Sequence, residues 1–163
     1  MARLEAVHGD ITAETVDAIV NAANTGLVRG GGVCGAIFAA AGPELDGACR
    51  AIGGCATGDA AATPGFALAA RWIIHAVGPV WSGGDQGEPE LLASAYRRSL
   101  GVADEVGARS VAFPAISTGI FGYPVEAATD VAVGAVRDAR TDVTVVRFVC
   151  FDDRTLAAYT ARL

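Results

Sequence analysis

The chain contains no lysine: all 12 of its basic residues are arginine. This excludes Schiff-base chemistry and the lysine that completes the phosphate loop of nucleoside triphosphatases. Charged residues are sparse at 18%, and the 18 acidic ones leave a formal net charge of -6. No dense basic run occurs, so no extended nucleic-acid surface is expected. The two histidines, His8 and His75, and the four cysteines, Cys34, Cys49, Cys55 and Cys150, lack the close paired spacing of a zinc site. No metal or redox cofactor is expected. No segment reaches 18 uninterrupted apolar residues, and Arg3 is not followed by an apolar stretch of signal length, so no membrane association is expected. Isolated thiols point to a reducing compartment, and the expected location is cytoplasmic.

What is present suffices for a sizeable core. The 163 residues are 52% hydrophobic, and area scaling leaves about 7,500 Å² exposed against roughly 24,000 Å² for the extended chain. The reading is one domain over residues 1–163.

Short apolar runs alternate with segments of helical spacing, which favours an α/β fold. Strands are expected over Leu4 to His8, Ala18 to Asn21, Trp72 to Ala76, Ser110 to Phe113 and Thr144 to Phe151. Several are too apolar to face water on one side, so helices should cover both faces of the sheet. Helices are expected over Val33 to Ala41, Pro89 to Val106, from Pro124 towards Asp138, and Leu156 to Leu163. The glycine- and proline-rich stretch from Gly78 to Glu90 reads as a loop within the domain.

Three segments carry candidate chemistry. Gly30, Gly31, Gly32 and Val33 precede a helix, so bare backbone and helix-start amides could meet a pyrophosphate; a structural turn is the alternative. Ser117, Thr118, Gly119, Ile120, Phe121 and Gly122 follow an apolar strand, where ligand loops commonly form. Asn21 and Asn24 end the run from Ala18 to Val20, and their amides suit sugar hydroxyls or turns; one of each is expected.

Four motifs in order resemble the macrodomain family, particularly its ADP-ribosyl hydrolases and O-acetyl-ADP-ribose deacetylases. They are Gly9-Asp10-Ile11-Thr12, Asp17-Ala18-Ile19-Val20-Asn21-Ala22-Ala23-Asn24, Gly30-Gly31-Gly32-Val33, and Ile116-Ser117-Thr118-Gly119-Ile120-Phe121-Gly122-Tyr123-Pro124. Ile74-His75-Ala76-Val77-Gly78-Pro79 adds a match that looks like scaffold.

The resemblance implies a three-layer α/β/α sandwich around a mixed sheet, with ADP-ribose or O-acetyl-ADP-ribose across its strand ends and a mono-ADP-ribosylated protein as a further partner. It implies that Asp10 accepts from the adenine amino group with Ile11 beside it, and that Gly31, Gly32, Val33 and Cys34 flank the diphosphate. Ser117, Thr118, Gly119, Ile120 and Phe121 would face them, with Phe121 against the distal ribose. Asn24 would position that ribose or a water, the one catalytic assignment. Cys150, Phe151 and Asp152 are candidates for the adenine border.

Two departures bear on chemistry. Where the hydrolase subgroup carries an aspartate and a histidine in the glycine-rich loop, this chain has Cys34 and Phe38. A neutral thiol is a poor general base, so a non-catalytic ADP-ribose-binding module is the competing expectation. Arg29 also replaces the first glycine of the longer loop.

Overall fold

The computed structural model describes residues 2–163. Six strands form one sheet: β1 (Arg3–His8), β2 (Ala18–Ala22), β3 (Ala60–Pro64), β4 (Trp72–Ala76), β5 (Ser110–Phe113) and β6 (Val145–Cys150). Their spatial order is β1-β6-β5-β2-β4-β3, parallel throughout except for β3, which pairs antiparallel with β4 at one edge. The expected mixed sheet is therefore present.

Neighbouring residues on each central strand enter opposite layers. Ile19, Ile73, Ala112 and Val149 pack against α1 (Gly32–Ala41) and α2 (Glu44–Ile52). Val20, Ile74, Val111, Phe113 and Phe148 pack against α3 (Glu88–Val106), α4 (Val125–Asp138) and α5 (Asp153–Thr160). The alternation follows from the two-residue side-chain period of a strand. Burial on both faces explains why these strands read as predominantly apolar runs.

The expected strands match to within a residue or two. Besides a single 3-10 turn over Ile11–Ala13, two elements escaped the sequence reading. Strand β3 is mostly alanine, a weak strand former, and exists through its antiparallel ladder on β4. Helix α2 buries little more than Leu45 and Cys49, one turn apart. Its acidic first turn and Arg50 in its last match the helix dipole, and it stops at left-handed Gly53. The closing helix runs over Asp153–Thr160 rather than from Leu156, because the Asp152 carboxylate accepts the Thr155 N–H at 2.8 Å and starts it early.

Candidate functional site

Five parallel strands end on one edge of the sheet, so the segments that follow β1, β6, β5, β2 and β4 gather there. In open α/β sheets this is where ligands sit. Four large apolar side chains stand in water on those segments: Val28, Val80, Ile120 (84% exposed) and Phe151 (86% exposed). Exposed apolar side chains on the segments that follow these strands make this edge the candidate ligand site.

The two glycine-bearing turns face each other. A Cβ on Gly31 would stand 3.4 Å from Ile120 Cδ1, which places the β5 loop directly over the start of α1. Gly32 opens α1 at φ +57, a conformation that suits glycine. The first amides of a helix have no acceptor within it, so those of Gly32, Val33 and Cys34 are available. Across the cleft, the N–H groups of Ser117, Gly119, Ile120 and Phe121 have no acceptor among the described residues. Ser117 holds a left-handed φ of +70, and its own hydroxyl is buried without a partner. Thr118 Oγ1 donates to the Ala115 carbonyl at 2.9 Å, a bond that shapes the loop. The β5 loop closes through Tyr123 N–H to Ser117 O at 2.9 Å and Gly122 N–H to Gly119 O at 3.0 Å.

Asn24 spans its own turn. Its Nδ2 donates to the Val28 carbonyl at 2.8 Å and its Oδ1 accepts the Val28 N–H at 3.0 Å. Each amide atom keeps one further hydrogen-bonding position. Asn21 is the structural member of the pair, fully buried with Nδ2 3.1 Å from His75 Nδ1. Cys34 is buried, its Sγ 3.7 Å from Asn21 Nδ2 and 3.8 Å from the Val28 carbonyl. A Cβ on Gly30 would touch both Asn24 Nδ2 and Cys34 Sγ, so the floor of this end is a thiol and an amide. Phe38 is buried and meets the His75 ring edge-on at 6.4 Å.

At the other end, β1 and β6 are neighbours with His8 opposite Cys150, and His8 Nε2 donates to the Phe151 carbonyl at 3.0 Å. Asp10 follows β1 and Phe151 follows β6, so the two share one mouth. Asp10 Oδ1 accepts from the Thr12 hydroxyl at 2.7 Å and from its N–H at 2.9 Å. These bonds hold the carboxyl below its ordinary range and keep it an acceptor. Ile11 is buried beneath it. Of the three border residues, Phe151 and Asp152 are exposed, and Phe151 alone offers an apolar ring. Cys150 turns into the core, where burial pushes its thiol up to about 11, and Asp152 caps α5.

A profile of the Macro domain family matches residues 20–132, a span holding Asn24, both facing turns and the strands that carry them. The chain belongs to the macro domain family. It is 57% identical over 159 residues to the Macro domain-containing protein CT2219 of Chlorobaculum tepidum, covering 96% of this chain and 92% of the relative. The O-acetyl-ADP-ribose deacetylase of Salmonella typhimurium is 52% identical over 168 residues, 99% of this chain and 93% of that protein. Among solved structures, the Oceanobacillus iheyensis macrodomain with ADP superposes with a TM-score of 0.93 at 42% identity, covering 98% of this chain and 88% of that one. The Trypanosoma brucei macrodomain in complex with ADP-ribose gives 0.90 at 37%, covering 98% and 68%.

Two supports of this macrodomain's cleft were not visible in its sequence. The buried Glu88 carboxylate accepts the N–H groups of Ser82 (2.8 Å), Gly84 (2.9 Å) and Gln86 (2.6 Å). Burial opposes ionisation, but the bonds from Gly84, Ser82, its own N–H and Gln86 outweigh it and lower its pKa to about 2. The loop so knotted gives Trp81 N–H to the Phe121 carbonyl at 2.8 Å, with the Trp81 and Tyr123 rings 4.6 Å apart. The second support is Cys55 N–H to the Thr25 carbonyl at 2.9 Å, which ties the segment after α2 to the Asn24 turn. Residues 18–43 and 110–125 contain no acidic residue and only Arg29 as a charge. An anion in the macrodomain's cleft therefore meets no like charge on either turn, although the whole chain is acidic.

Proposed function

We propose that this macrodomain, acting as one unit over residues 1–163, binds ADP-ribose in the cleft and hydrolyses ADP-ribosyl esters on protein carboxylates or O-acetyl-ADP-ribose. The observation that carries the reading is the pair of facing turns, each with free N–H groups and neither with an acidic side chain. Such a cradle holds a diphosphate without lysine. The Trypanosoma brucei complex with ADP-ribose and the Salmonella typhimurium deacetylase support the ligand and the ester chemistry.

Adenine would lie between Asp10, accepting from its amino group, and the Phe151 ring. The distal ribose would meet Phe121 and the remaining hydrogen-bonding positions of Asn24. Water directed by Asn24 and the ligand's own phosphate attacks the anomeric carbon of the ester, releasing free ADP-ribose and a carboxylate; on O-acetyl-ADP-ribose it attacks the acyl carbon. The gain comes from positioning, because Cys34 supplies no carboxylate. The four free thiols suit work in a reducing cytoplasm.

A second reading, a binding module without turnover, is favoured by Cys34 and Phe38, both buried where the subgroup's acidic and imidazole groups are expected. Calorimetry with ADP-ribose tests the cleft: no binding by folded protein overturns both readings. A release time course on mono-ADP-ribosylated glutamate or aspartate protein and on O-acetyl-ADP-ribose then separates them. Release above a heat-inactivated control, reduced more by Asn24→Ala than by Cys34→Ser, is expected; none selects the binding module.

A further inference from the structure

The histidine of the Ile74 to Pro79 motif is fully buried and far from water, yet both of its ring nitrogens are engaged. Asn21 and His75 are register partners on β2 and β4, on the face that carries α1 and α2. The Asn21 amide nitrogen can only donate, so Nδ1 accepts and the ring proton sits on Nε2. That proton points to Thr63 Oγ1 at 2.9 Å on β3, with Cys49 Sγ at 3.9 Å. On its other side, Asn21 Nδ2 reaches Cys34 Sγ, and Cys34 reaches the Val28 carbonyl that Asn24 Nδ2 also bonds. An unbroken polar chain thus runs from the edge strand, through the core, to the turn at the distal end of the cleft.

We infer that His75 is a positioning residue for ligand recognition: through Asn21 and Cys34 it holds the Asn24 to Val28 turn in the shape that receives the distal ribose. This rests on the reading that Asn24 addresses that ribose. Filling space does not require imidazole, since an aliphatic side chain could pack beside Phe38. The orientation of Asn21 does require it. Asn21 Oδ1 has no partner, so the short bond to Nδ1 is what keeps the amide nitrogen, rather than the oxygen, facing Cys34. Without that acceptor the amide can turn over, present its oxygen to sulfur and draw the S–H from the Val28 carbonyl. The turn then loses its hydrogen bond to α1, while Asp10, Phe151 and the β5 loop remain in place.

ADP, which lacks the distal ribose, supplies the control. Calorimetry on the full chain should show the wild type preferring ADP-ribose to ADP. His75→Leu should cut that preference roughly five- to tenfold, about the worth of one buried hydrogen bond, with ADP affinity changed less than twofold. His75→Gln, which can again accept from Asn21, should restore it. Thr63→Val, near-isosteric and remote from the cleft, should lower the preference in the same direction and decides the matter if His75→Leu does not fold. Equal weakening of both ligands, or a preference that survives in the folded variants, overturns the inference. A wild type that does not distinguish the two ligands removes the reading of Asn24, and the inference with it.

Discussion

Gly78 lies directly against Ser117: a methyl group at position 78 would overlap Ser117 Oγ and stand 2.5 Å from Ile116 Cγ2. Ser117 has a left-handed backbone and opens the β5 loop of the proposed diphosphate cradle, so the glycine on the segment after β4 sets where that loop sits. Gly78→Ala should overpack this junction at a cost of about 1–3 kcal/mol in stability. Affinity for ADP-ribose should fall at least tenfold at temperatures where the variant is folded. Thermal melting and calorimetry on the same sample check both effects.

Glu88 acts on the same loop from the opposite direction. Its carboxylate collects three N–H groups from residues 82 to 86, and Trp81, immediately before that segment, donates to the Phe121 carbonyl. Glu88→Gln keeps the volume but replaces one acceptor oxygen with a donor that faces donors. The melting temperature should drop, and amide exchange should quicken over residues 81–87 and at Phe121 before the sheet strands are affected. Unchanged exchange at Phe121 would disconnect the two loops.

Phe151 is exposed and packs on nothing in the core, so its removal should leave stability unchanged. Aromatic–base stacking is worth about 1–3 kcal/mol per base. Phe151→Ala should therefore weaken ADP and ADP-ribose by the same factor within that range, measured by competitive calorimetry. A loss confined to ADP-ribose would place the adenine elsewhere.

Acid should weaken the fold through His75. Burial lowers its pKa from 6.5 to about 4. Below pH 6.5 the unfolded chain takes up a proton that the folded chain refuses until about pH 4. Stability is thus full above 6.5 and falls as the pH drops through this window, by roughly 3 kcal/mol at most. Glu88, lowered from 4.5 to about 2, stays ionised in the folded chain over that window, and its stabilisation is full above about pH 4.5 and is lost as the pH falls from there through 2. Urea midpoints between pH 7 and 4 should decline for the wild type and stay flatter for His75→Gln.

The strands were legible because β2, β4, β5 and β6 are buried on both faces and read as mostly apolar runs, broken only by single polar residues such as Asn21, His75 and Arg147. Strand β3, written in alanine and closed by Pro64, has no such signature; its pairing partner makes it a strand. At the cleft, the glycine turns could be found because their backbone geometry constrains residue type. The direction of side chains could not: nothing in the local sequence says that Cys150 turns inward while Phe151 points to water, or that Asn24 closes a ring on Val28. The link from His75 to Asn21 depends on the register of two strands more than fifty residues apart, which no local pattern encodes.

Ala2 and Leu163 line one shallow depression with Leu4 and Thr141, beside the beginnings of β1 and β6. The first and last described residues therefore lie on the side of the molecule opposite the mouth. A dye, bead or fused partner attached at either terminus can be carried without shading the ligand's approach, and a single tether there would present the opening outward.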